Sequence, residues 1–166
     1  MLKWLGILLL AATCLLLGNK QAVALRERVK IWEQASRLAG MLETRIAYST
    51  RPIPQLLNEL YRTDNLTALP FLLKLSSCAP EKMAECWQTG VEKELTVLPV
   101  SDRALLAAFG APLGRTDIAG QIAHCRTYAA RFEERRTAAA AELSEKGRLY
   151  PLLGLLGGLA LALLLI

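Results

Sequence analysis

The chain has 166 residues, of which 53% are hydrophobic and only 6% aromatic, with 20 Lys and Arg against 15 Asp and Glu, a net charge of +5 and one histidine. Few aromatic and β-branched residues argue against a sheet protein. The modest positive charge lacks the basic stripe with interleaved aromatics that nucleic-acid binding requires, so that class is set aside.

Taken in order, Leu2 to Gly18 (LKWLGILLLAATCLLLG) is apolar except for Lys3, which can snorkel to lipid headgroups, and Trp4, which suits an interface. We read residues 2–18 as a short transmembrane helix. A cleaved leader fits less well, because no small-x-small site precedes a polar mature end. A lipoprotein signal fits poorly too: Thr13 stands before Cys14, and three leucines follow it.

From Leu25 the apolar positions Val29, Trp32, Ala35, Ala39, Leu42 and Ile46 step by threes and fours, the mark of one helix face reaching to about Ser49. Glu33 and Arg37 form an i,i+4 pair on its surface. Pro52, Pro54, Pro70, Pro80, Pro99 and Pro112 then divide the middle of the chain into short segments, since proline is tolerated only in the first turn of a helix. QLLNELYR, FLLKLSSC, EKMAECWQTGVEKEL and the run after Ser101 lack strand alternation and read as short helices.

Gly110 to Asp117 (GAPLGRTD) is the least regular loop, and Thr116 or Asp117 can cap the helix after it. That helix carries a near-heptad seam of Ile118, Ile122, Cys125, Ala129, Phe132, Ala139 and Leu143. The two long helices are expected to lie side by side with the short ones packed against them.

Leu149 to Ile166 (LYPLLGLLGGLALALLLI) has no charge, and eighteen residues of helix span roughly 27 Å, about the thickness of a bilayer's hydrocarbon core. Residues 149–166 read as a second transmembrane helix. Gly154, Gly158 and Ala162 recur every four residues along one face and would admit another helix closely.

The expected fold is therefore all-α: a helical bundle of about six helices, residues 19–148, between an N-terminal and a C-terminal transmembrane helix. Two spans at the two ends put the centre on one side of the membrane. Lys20, Arg26, Arg28, Lys30, Arg135, Arg136, Lys146 and Arg148 flank it, against Lys3 beyond, so the positive-inside rule predicts a cytoplasmic domain.

The chain carries few residues arranged for catalysis. His124 and Cys125 are helix neighbours pointing about 100° apart, unsuited to a nucleophile–base pair. Cys78, Cys86, Cys125 and His124 lack the close ligand pair of a usual zinc site. In a reducing cytoplasm the cysteines are expected as free thiols packed like small apolar residues, with disulfides only if the topology is reversed. Phosphate-loop, GxSxG and HExxH motifs are absent from the sequence. Glu133 and Glu134, followed by Arg135 and Arg136, read as a solvated face with local ion pairs. No enzyme activity, cofactor or metal site is expected.

LETRIAYSTRPIPQLL (Leu42–Leu57), LGRTD with Gln121 (Leu113–Gln121) and GRLYPLLGLLGGLALALLL (Gly147–Leu165), in this order and between two anchors, resemble the stage III sporulation protein AB family of endospore formers. That family is similar to the platform proteins of type II secretion and pilus systems. The resemblance implies a non-catalytic subunit of the mother cell–forespore channel complex, in the mother-cell membrane around the forespore. It further implies contact with the stage III sporulation protein AA ATPase and with other stage III sporulation A membrane proteins, and leaves self-association open. The alternative is a purely structural membrane subunit without ATPase contact. For a partner surface the candidates are Glu43, Arg45, Tyr48 and Arg51 near the first turn, and Arg115, Thr116 and Asp117 in the loop.

Overall fold

The computed structural model describes residues 2–49, 51–75 and 77–165. Among these described residues seven α-helices follow in order: α1 (Leu2–Tyr48), α2 (Ile53–Thr63), α3 (Leu72–Leu75), α4 (Met83–Glu94), α5 (Val100–Gly110), α6 (Ile118–Lys146) and α7 (Leu149–Leu165), with a 3-10 turn at Pro80–Lys82 before α4. No strand occurs among the described residues. The contacts divide the chain into two compact units, residues 30–136 and residues 1–29 with 137–166.

In the unit 30–136, prolines set the helix starts. Pro54 occupies the first turn of α2 and Pro99 precedes α5, where a missing amide hydrogen costs nothing. The α1 face expected from the periodicity is buried at Trp32, Ala35, Ala39, Leu42 and Ile46, joined by Ile31 and Leu38. Antiparallel to it runs α6, tied by Ser36 Oγ donating to the Ala129 carbonyl at 3.4 Å and by Arg126 clasping Glu43 at 2.7 Å. The expected side-by-side pairing of the long helices is thus present.

An aromatic spine fills the interior: Trp32 meets Phe132, Phe132 meets Phe109, Phe109 meets Trp87 and Trp87 meets Phe71, with centroids 5.0 to 5.7 Å apart. The Trp87 indole N–H donates to the Leu106 carbonyl at 2.8 Å, so this fully buried ring leaves no unsatisfied donor. Gly110 lies against the same indole, where a Cβ would collide with the ring. Buried Gln34 plays the equivalent polar part on α1. Its oxygen accepts from the Ala68 amide at 2.7 Å and its nitrogen donates to the Asn65 carbonyl at 3.4 Å, pinning a turn in which Asn65 adopts φ 54°.

The unit of residues 1–29 and 137–166 is built differently. Its interior is thin: Ala22, Leu25 and Ala139 are buried, and Gly18 backs onto the Tyr150 carbonyl with no room for a Cβ. Glu142 accepts from Arg28 at 3.1 Å and from Lys146 at 3.2 Å. Its outside is apolar, for Leu16, Leu17, Leu152, Leu153, Leu155 and Leu156 are all exposed. Among the described residues no helix is long and apolar enough to cross a membrane; α7 has 17 residues. Gly154 is half-buried, whereas the side chains of Gly158 and Ala162 and those of residues 2–12 lie outside the described residues.

Two expectations need correction. Cys78 and Cys86 are not free, buried thiols: both are half-buried and joined in a disulfide, their Cα atoms 6.7 Å apart. The segment between α3 and α4 brings the two sulfurs, eight residues apart in sequence, within bonding distance. In α6, Ile118 begins the seam in sequence but is 61% exposed, because at the first turn the helix has run past the core formed by Cys125 and Phe132.

Candidate functional site: a cleft at the end of the bundle

At one end of the unit 30–136, the last turn of α1, the start of α2 and the loop before α6 enclose a cleft of about 350 Å³. Ile46, Ile53, Leu56, Met83 and Leu113 give it apolar walls, and Arg51 and Arg115 line it as well. The two segments proposed separately from sequence, 42–57 and 113–121, therefore meet in space.

The loop before α6 is held by Gln121 rather than by a side-chain cap. Buried Gln121 donates from Nε2 to the Thr116 carbonyl at 2.8 Å and accepts at Oε1 from the Gly114 amide at 3.4 Å. Gly114 needs its φ of +80°, a conformation open to glycine at low cost. The carbonyl of Asp117 accepts from the Gln121 amide at 2.9 Å, starting the helix ladder. Among the described residues neither Thr116 nor Asp117 makes a side-chain cap bond, so the capping expectation is replaced by the glutamine clamp, and both side chains stand exposed. The placing of Gln121 a few residues after Gly114 and Thr116 has its physical reason here.

The other candidates sort by what they touch. Glu43 is committed to α6, accepting from both Nε and Nη2 of Arg126 at 3.0 and 2.7 Å. Glu59 of α2 takes Arg45 on one oxygen at 3.2 Å and Arg51 on the other at 2.9 Å, splinting the turn from α1 to α2. Arg45, Tyr48, Ser49, Arg51 and Glu59 line a second hollow that shares Arg51 with the cleft. Tyr48 is 89% exposed, and Arg115 makes no ion pair among the described residues. Glu59 and Ile118 were missed from sequence: Glu59 looks like any outer-face acid of an amphipathic helix, and Ile118 like a core position.

The remaining reactive groups lie elsewhere. Cys125 is buried on α6, and its burial, then the nearby Glu43 carboxylate, push its thiol up to about 11. His124 sits with Nε2 2.9 Å from the Phe109 carbonyl and its ring stacked on Phe109. No group of three or more residues able to hold a metal occurs among the described residues. Where α6 runs beside Ser36 of α1, the hydrogen bond from Arg136 holds the Glu133 carboxyl below the usual range, an ordinary surface ion pair.

A family profile for stage III sporulation protein AB matches residues 3–166. The chain belongs to the stage III sporulation protein AB family. Membership covers both compact units and ties the chain to spore formation in a family not known for enzymes. No curated protein and no solved structure matches it.

Proposed function

We propose that this member of the stage III sporulation protein AB family is a non-catalytic membrane platform. In this reading residues 2–18 and 149–166 anchor it in the mother-cell membrane around the forespore, and its helical domain faces the cytoplasm and receives the stage III sporulation protein AA ATPase. The observation that carries it is the convergence of the 42–57 and 113–121 segments on one exposed cleft, while the ion pairs of Glu59 and the hydrogen bonds of Gln121 fix the surrounding backbone. A surface held rigid yet left uncovered is suited to a partner. The exposed leucines of the other unit support the anchors, since such a surface is at home in lipid. Its basic flanks support the cytoplasmic placement.

The test uses the full chain in lipid nanodiscs, titrated with purified ATPase and followed by interferometry. Saturable binding is expected; no binding at micromolar ATPase would remove the coupling role. A second reading, a structural subunit joined to other stage III sporulation A proteins without ATPase contact, is favoured by one observation. Cys78 and Cys86 are paired, and disulfides persist on the oxidising side of a membrane, not in the cytoplasm.

A further inference from the structure

We infer that the cleft takes an acidic segment of its partner, carrying one apolar side chain flanked by carboxylates. The inference rests on the platform reading above and names the chemistry the partner must present. Three features of the cleft lead to it.

Its walls are apolar, with Ile46, Ile53, Leu56 and Leu113 facing a space of about 350 Å³. That is the small end of binding pockets, enough for one large apolar side chain and its adjoining backbone and too little for a nucleotide-sized cofactor to be enclosed. Its charged lining is of one sign: Arg51 and Arg115 belong to it, and no carboxylate does. Glu59 lies in the adjoining hollow, where it meets Arg51 through a single nitrogen, Nη1, at 2.9 Å. The rest of that guanidinium fork is left for a second carboxylate, and Arg115 brings a whole fork. In the adjoining hollow, next to Arg51, stands Tyr48, 89% exposed, a side chain of the kind that anchors protein contacts at low entropy cost. An occupant with basic side chains would meet two arginines at close range, and a wholly apolar one would leave both forks unused.

The sign of the charge gives a sharp test. Asp117 is exposed at the loop but does not line the cleft, so its replacement separates charge from shape. Full-length wild type, the double variant Arg51→Glu/Arg115→Glu, the single variant Asp117→Asn, and Arg51→Lys/Arg115→Lys are placed in nanodiscs and titrated with the ATPase at low and high salt. Circular dichroism on each confirms unchanged helicity. The expected result is weakening by about tenfold or more for the glutamate pair, wild-type or tighter binding for Asp117→Asn, and salt-sensitive binding retained by the lysine pair. Wild-type affinity in the glutamate pair would overturn the cleft as the seat of an acidic segment while leaving ATPase coupling in place. Equal losses for the glutamate pair and Asp117→Asn would overturn the charge argument in the same way. Failure of the wild-type chain itself to bind would overturn both.

Discussion

The aromatic spine and the terminal cleft of the 30–136 unit are built from similar residues under opposite rules. In the spine, Trp87, Phe109 and Phe132 are wholly buried, and the polar atoms among them are matched: the indole N–H meets Leu106 and the His124 ring meets the Phe109 carbonyl. At the cleft and the hollow beside it, Ile118 and Tyr48 are exposed and Arg115 has no ion-pair partner among the described residues. Stability is concentrated in the first and spare binding capacity in the second. The difference teaches that the cleft is held by Glu59 in the hollow beside it and by Gln121 in its own wall, apart from the buried spine, so its exposed arginines can be altered without unfolding the domain.

Removing the centre of the spine should have the largest effect. Trp87→Ala deletes a buried ring together with its hydrogen bond to the Leu106 carbonyl, and is expected to cost about 3–5 kcal/mol in chemical unfolding of the detergent-solubilised chain. A cost below about 1 kcal/mol would mean the spine does not organise the bundle. Reducing the Cys78–Cys86 link, which closes a short loop, should cost about 2–3 kcal/mol, read as a lower melting temperature with a thiol reductant. An unchanged melt would show the pair to be thiols already.

Gln121→Ala tests the support of the cleft. Losing its two loop hydrogen bonds should cost about 1–2 kcal/mol and speed hydrogen exchange at the Gly114 amide region, with the spine still protected. Exchange unchanged there would break the assignment of Gln121 as the clamp. The smallest effect on stability belongs to Arg115→Glu, within about 0.5 kcal/mol, because the side chain is exposed and makes no ion pair among the described residues. A large loss would place Arg115 in the architecture instead of on the contact surface.

Much of the fold was legible because its causes are local. The three-and-four spacing from Leu25 to Ile46 and the prolines at 52, 54 and 99 determine where α1, α2 and α5 run, and the buried faces follow. The site was legible only in part. The loop and the first turn could be singled out as segments, but their meeting depends on how α1 and α6 align, which no periodicity reports. Glu43 illustrates the gap, since nothing in its neighbourhood along the chain reveals Arg126 on another helix. The thiols failed for a related reason: compartment was argued from flanking charge, whereas the pairing of Cys78 with Cys86 comes from the turn between α3 and α4.

In the membrane-platform reading that pairing and the basic flanks point to opposite sides of the bilayer, and the reading depends on the answer. The decisive measurement is the sidedness of an exposed reporter, Thr63→Cys at the end of α2, in the full chain produced in a bacterial plasma membrane and treated with a membrane-impermeant maleimide. Cys78 and Cys86 are tied, Cys125 is buried and Cys14 is replaced by Ser in both chains, so the reporter supplies the signal over the parent chain. The account predicts labelling only after the cells are permeabilised. Labelling of intact cells would contradict it, put the cleft out of the ATPase's reach and leave the structural subunit.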